Sequence, residues 1–204
     1  MKFIILPGFT MDKTHPDILY LIKKFKQFYP KASYRVVDPP IRKITVYKNK
    51  RYRSWYDYYS EHITDEECIN VEHLHQTRKR LHKLLNSYKS LEDVYLVGYS
   101  QGCCVAFDAG LTYPKKIGGI IGFKGHIPSI TFNDIKGGQN IWVTHGKKDK
   151  TIGYDVAKQS YKKLKVKHFL TQNKSNHSIK SGINEQMHSL KKFMDFNLIH
   201  LLKT

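Results

Sequence analysis

Cysteine is scarce in this chain, arginine is scarce for so basic a protein, and no apolar run approaches membrane-spanning length. Each shortage removes a class of protein. The three cysteines, Cys68, Cys103 and Cys104, cannot build a disulfide framework, and the last two are chain neighbours; a reducing, cytoplasmic setting is expected. The opening Met1 to Gly8 has the outline of a signal peptide, but its apolar run, Phe3 to Leu6, is stopped by Pro7 and Gly8 before it could target or span. No low-complexity block and no internal period of the solenoid kind occurs. His73 and His75, two apart on an expected helix, face different sides and cannot share a metal; no zinc motif exists, and neither metal nor organic cofactor is expected.

Acidic residues are also few, 17 Asp and Glu against 35 Lys and Arg, for a formal charge of +18. That imbalance raises nucleic acid, an anionic membrane or an acidic protein as partners. Only six of the cations are Arg, at positions 35, 42, 51, 53, 78 and 80. Arginine carries most bidentate phosphate and base recognition, so a lysine-dominated surplus reads as a solvated surface and argues against nucleic acid. What remains is a chain of 204 residues, 40% hydrophobic, expected to form a single domain over 1–204 with a sizeable core.

Short β-branched and apolar runs stand at 2–6, 33–37, 93–97, 117–122, 140–144 and 166–170, each followed by turn chemistry, and read as buried parallel strands. Helical stripes separate them: Ile18, Leu21, Ile22, Phe25 and Phe28; then Val71, Leu74, Leu81, Leu85 and Tyr88; finally Met187, Leu190, Met194, Leu198 and Leu201. Thr14, Pro16 and Asp17 are expected to open the first helix, and Thr64-Asp65-Glu66-Glu67 reads as a capping box before the second. The alternation predicts an α/β sandwich with right-handed crossovers, binding ligands at the carboxyl ends of its strands. One long irregular stretch, 38–63, holds Pro39, Pro40 and the aromatics Trp55, Tyr56, Tyr58 and Tyr59, and should be functional or carry small elements of its own.

Gly98-Tyr99-Ser100-Gln101-Gly102 is a G-x-S-x-G pattern between the strand Asp93 to Val97 and an apolar helix start, Cys103 to Phe107. A serine forced into so tight a strand-to-helix turn projects its hydroxyl above the sheet, and flanking glycines relieve the crowding. Serine needs a base, and the base an orienting acid, each expected in a loop after a later strand. Asp149 follows the strand ending at Thr144, and His177 follows the strand ending at Leu170, so they are the expected acid and base. Asp155, in the next helix, and Asp134, in an earlier loop, compete for the acid; His145 lies at a suitable strand end but precedes the acid. An oxyanion needs two donors. The backbone amide of Gln101 is one, and the amide of Phe9, in the loop after the first strand, is the expected second.

These residues resemble the α/β-hydrolase fold and, more narrowly, the phospholipase/carboxylesterase family that includes the acyl-protein thioesterases. The resemblance runs through Leu6-Pro7-Gly8-Phe9, Ser54-Trp55-Tyr56-Asp57, the elbow at Ser100, Gly125-His126-Ile127-Pro128, His145-Gly146 with Asp149, and His177-Ser178. It implies hydrolysis of acyl esters or thioesters by Ser100, Asp149 and His177, with the Phe9 and Gln101 amides holding the oxyanion. It also implies that Trp55, Tyr56 and His126 lie near the acyl pocket. Three departures stand out: Pro7 replaces the family's usual His, Cys103 replaces a small residue, and the chain starts in the strand before the oxyanion loop. The expected sheet is therefore mostly parallel, of about six strands flanked by helices, trimmed at its N-terminal edge.

The expected partner is an acyl ester or thioester, an S-acylated protein or a lysophospholipid. Lys23, Lys24, Lys162 and Lys163 are candidates for peripheral contact with anionic membrane, and Lys147, Lys148 and Lys150 are expected to help keep Asp149 ionised. A competing reading is an inactive hydrolase fold used as a basic binding module, although all three triad members are present.

Overall fold

Strand β1 (Lys2–Leu6) turns Phe3 and Ile5 to one face of the sheet and Ile4 and Leu6 to the other, and all four are buried. Such a strand needs cover on both faces, as parallel sheets do. The computed structural model describes residues 1–60 and 68–201, with only the helical backbone for 198–201. In it, β1 is flanked by β2 (Ser33–Val36) and β5 (Val94–Tyr99), then come β6 (Gly119–Phe123), β7 (Ile141–Gly146) and β8 (His168–Gln172). All five pairings are parallel, so the six-stranded sheet agrees with the alternation in the sequence.

Helices α1 (Pro16–Phe28) and α5 (Ile183–Leu201) cover one face, where Ile18, Leu21, Phe25, Met187 and Leu190 meet Phe3, Ile5, Val97 and Trp142. On the other face α2 (Val71–Asn86), α3 (Gln101–Leu111) and α4 (Tyr154–Lys163) bring Leu74, Leu81, Val105, Phe107 and Tyr161 onto Ile4, Leu96, Ile120 and Val143. Each such aliphatic or aromatic side chain contributes about 1.5–3 kcal/mol by leaving water.

One expected helix cap is corrected. Helix α1 is capped by the ring of His15, whose Nδ1 accepts from the Asp17 amide at 3.2 Å, with Pro16 at the first turn; Thr14 instead bonds Asp12. Helix α2 opens at Val71, where the Asn70 side chain accepts from the His73 amide at 2.9 Å. The capping box at 64–67 lies outside the described residues. The irregular stretch after β2 carries an antiparallel hairpin, β3 (Ile41–Ile44) and β4 (Lys50–Arg53), with left-handed Lys48 and Asn49 in its turn.

The chain passes from β1 to β2 on one side, then crosses back to β5 on the other. That reversal makes β1 and β5 the switch point of the sheet, and such sheets take ligands at the carboxyl ends of the strands there. Beneath it, Arg78 of α2 ties down α3: Nε and Nη2 donate to the two oxygens of the Asp108 carboxylate at 2.9 and 2.6 Å, and Nη1 donates to Asp134 at 2.6 Å. Asp108 is 1% exposed, so loss of its partner would strand a buried charge. Arg78→Met is expected to lower the unfolding free energy by about 3–5 kcal/mol in urea titration, well above the cost of a surface ion pair.

Candidate active site

Ser100 sits in the turn between β5 and α3 with φ of 54° and ψ of −123°, a backbone state that L residues avoid. Neighbouring glycines make the turn feasible. A Cβ on Gly98 would lie 2.3 Å from the Gly102 carbonyl oxygen, and one on Gly102 would lie 2.0 Å from the Leu6 carbonyl oxygen. A Cβ at Gly8 would stand 3.3 Å from the Ser100 Cβ, so the loop after β1 lies directly against the serine.

The structure brings the three expected side chains together. His177 Nε2 lies 2.8 Å from Ser100 Oγ, and His177 Nδ1 lies 2.8 Å from Asp149 Oδ2. Asp149 Oδ1 accepts the amides of Thr151 and Ile152 at 2.9 and 3.0 Å. The carboxyl-end loops of β7 and β8 also meet through their backbones, as the Lys147 amide donates to the Gln172 carbonyl at 3.0 Å and the Lys148 amide to that of Ser175 at 3.0 Å. The competing acids are elsewhere: Asp134 is paired with Arg78, and Asp155 is exposed on α4.

His145, next to this group in the sequence, takes another role. Its Nε2 donates to the Ile152 carbonyl at 2.8 Å and lies 3.3 Å from Asp149 Oδ2. Burial pushes the Asp149 carboxyl up, but the hydrogen bonds from His145 and His177, with the field of each ring, outweigh it and hold it well below the usual carboxylate range. Two histidines are the main groups that keep the acid ionised, ahead of the flanking Lys147, Lys148 and Lys150.

Neither the Phe9 nor the Gln101 backbone N–H is taken by another of the described residues. Adjacent amides are engaged: Ser100 donates to the Phe123 carbonyl at 2.9 Å, and Thr10 to that of Arg53 at 2.8 Å. Behind them Trp55 is fully buried, with its backbone amide donating to Gln101 Oε1 at 3.0 Å and its indole to the Pro7 carbonyl at 2.8 Å. Trp55 thus braces both loops from behind and offers no surface to a ligand. Tyr56 and His126 are 2% and 4% exposed; His126 Nδ1 faces Cys104 Sγ at 3.3 Å, and Tyr56 stacks edge-on against Tyr58. Aromatic surface above Phe9 comes instead from the hairpin region, through Tyr47, Tyr52 and Tyr58.

Lys124 is the residue that sequence reading missed. It follows β6 with φ of 54° and is fully buried, yet its ammonium is not idle. Nζ donates to Ser175 Oγ and the Ser181 carbonyl, each at 3.0 Å, and to the Ser178 carbonyl. These three acceptors bracket His177, so one cation gathers the loop that carries the imidazole. The Tyr99 hydroxyl adds a bond to the His177 carbonyl at 2.9 Å. A lysine immediately past a buried strand was the available signal. The lysines expected at a membrane fare differently: Lys23 and Lys24 lie on α1 and Lys162 and Lys163 on α4, helices on opposite faces of the sheet, so they form no common patch.

Burial lowers the Lys124 amine from 10.5 to about 8, against the negative field of Asp149, which raises it. An amine that holds its proton less tightly folded than unfolded adds stability as pH rises from about 8 to 10.5, and loses that increment as pH falls through about 8. In urea titrations from pH 7 to 10.5, wild type minus Lys124→Met should rise by up to about 3 kcal/mol. A flat difference would mean that the amine is not held in this way.

The sequence profile described as phospholipase/carboxylesterase matches residues 15–198. Acyl-protein thioesterase 1 of Schizosaccharomyces pombe is 32% identical over 110 residues, 52% of this chain and 45% of that protein. The chain spans about half the length of the curated relatives it matches. Among solved structures, Arabidopsis thaliana SOBER1 superposes with a TM-score of 0.84 at 20% identity, covering 97% of this chain and 99% of that one. Acyl-protein thioesterase 2 of Zea mays superposes at 0.72 with 15% identity, covering 95% and 93%. At these identities the superpositions speak for the α/β-hydrolase fold.

Proposed function

Because the chain belongs to the phospholipase/carboxylesterase family, we propose that it is a serine hydrolase of acyl thioesters or carboxylic esters, with Ser100 as nucleophile, His177 as base and Asp149 as its orienting acid. The observation that carries this reading is the unbroken relay from Ser100 Oγ through the two nitrogens of His177 to Asp149, with 2.8 Å at each step.

In this mechanism His177 Nε2 takes the Ser100 proton as Oγ attacks the acyl carbon. The imidazolium that forms is stabilised by Asp149, which donates nothing and keeps the Nδ1 proton in place. Negative charge on the former carbonyl oxygen is met by the amides of Phe9 and Gln101, which no protein acceptor competes for among the described residues. Protonation of the leaving thiol or alcohol by His177 gives the acyl-enzyme. Water, deprotonated by the same ring, then releases the acid and restores Ser100. No metal or organic cofactor enters any step.

The substrate is an S-acylated protein or a lysophospholipid, in keeping with the acyl-protein thioesterases and carboxylesterases among the relatives. A fluorophosphonate probe is expected to label wild type and not Ser100→Ala. Ser100→Ala and His177→Ala should each lose roughly 10³-fold or more in kcat on short p-nitrophenyl esters. Folded wild-type protein that takes no label and hydrolyses none of these esters would instead leave a basic binding module.

A further inference from the structure

Half of the chain's six arginines converge on one place. Arg42 of β3, Arg53 of β4 and Arg80 of α2 line a cleft of about 470 Å³ beside Asp38 and Pro40, the residues that follow β2. It lies at the carboxyl rim of the sheet. The Val37 amide, just past β2, donates to the Ile5 carbonyl of β1 at 3.0 Å, and the Arg53 carbonyl accepts from Thr10, one residue beyond Phe9. Two strand spacings, about 10 Å, separate β2 from the strand that bears Ser100.

The guanidiniums are poorly matched by the protein itself. Both Nη atoms of Arg42 share one neutral oxygen, Gln76 Oε1, at 3.3 Å, and its Nε is buried with no acceptor. Arg80 Nη1 donates to the Asp38 carbonyl at 3.1 Å, and its Cζ lies 5.9 Å from the centroid of the Trp55 ring. Arg53 donates to the Pro39 carbonyl at 3.1 Å and is the one member with a carboxylate partner among the described residues, Asp12 at 3.4 Å. The Asp38 carboxylate, also at the cleft, is engaged by the Lys13 amide at 2.7 Å. Burial and the neighbouring Arg80 charge push the Arg42 guanidinium down, and the Asp57 carboxylate opposes them.

We infer that the Arg42–Arg53–Arg80 cleft binds a phosphate group carried on the alcohol or thiol part of the substrate. This rests on the hydrolase reading above and narrows it to phosphorylated esters or thioesters. Planar guanidinium forks suit phosphate oxygens, and an arriving anion would relieve the repulsion between Arg42 and Arg80. The phosphate could come from the phosphoglycerol of a monoacyl lipid or from a coenzyme A thioester, since both place phosphate at a distance from the reacting carbonyl.

The test uses matched pairs with one acyl chain: monoacylglycerol against its 3-phosphate, and S-acyl pantetheine against acyl coenzyme A. Wild type should favour the phosphorylated member of at least one pair by tenfold or more in kcat/KM, chiefly through KM, and the pair that shows it names the source. In Arg42→Gln/Arg80→Gln that ratio should collapse to about one, whereas in Lys23→Gln/Lys24→Gln, with the same loss of charge, it should stay as in wild type. Absence of preference in both pairs overturns the inference. So does a preference that survives the arginine substitutions or falls equally with the lysine ones. If no ester of either kind is hydrolysed, the hydrolase reading fails separately, and calorimetric titration of the full chain with glycerol 3-phosphate and with coenzyme A decides the cleft. Saturable heat that is lost in the arginine variant supports it; no heat from either probe overturns it.

Discussion

Everything at this site depends on one close crossing, where the start of α3 passes over the end of β1 with Gly102 against the Leu6 carbonyl. No side chain fits there. The crossing brings the loop after β1 against Ser100, and it forces Ser100 into its left-handed turn. Such local strain persists only where the surroundings over-determine it. Here they do so through the buried β5 beneath, the hydrogen bond from the Ser100 amide to the Phe123 carbonyl, and Trp55 wedged behind both loops.

A second theme is the use of buried charge to locate loops. Loops following β6, β7 and β8 each bury one isoleucine, Ile127, Ile152 and Ile179, and buried polar groups fix the rest of their course. Lys124 gathers three oxygens around His177, while Asp149 spreads four hydrogen bonds over its two oxygens. A buried ion that meets so many partners is directional where an apolar contact is not. The desolvation it brings is visible in the lowered lysine, and direction is what a relay of hydrogen bonds requires.

The overall charge divides along the same line. Most of the surplus is lysine, spread over both faces of the sandwich, and it behaves as a solvated coat. The arginines are not spread. Three crowd the cleft beside the hairpin and a fourth, Arg78, clamps α2 to α3, so the scarce cation stands where bidentate geometry matters.

The six parallel strands, the three striped helices and the elbow were legible in the sequence, because hydrophobic period and glycine spacing are local signals of buried structure. The hairpin was not, since Ile41-Arg-Lys-Ile and Lys50-Arg-Tyr-Arg are half solvated and carry no apolar run. Nor were the caps at His15 and Asn70, where a neighbouring Thr and a more distant acidic cluster gave an equally good local pattern. By itself the sequence determined the order of strands and helices and the chemistry available in each loop, because these follow from short-range pattern. Only the tertiary structure decided that His145 supports Asp149, that Trp55 is a brace, that Lys124 holds the His177 loop and that three arginines meet. Those contacts join residues far apart in the chain, and no local period records them.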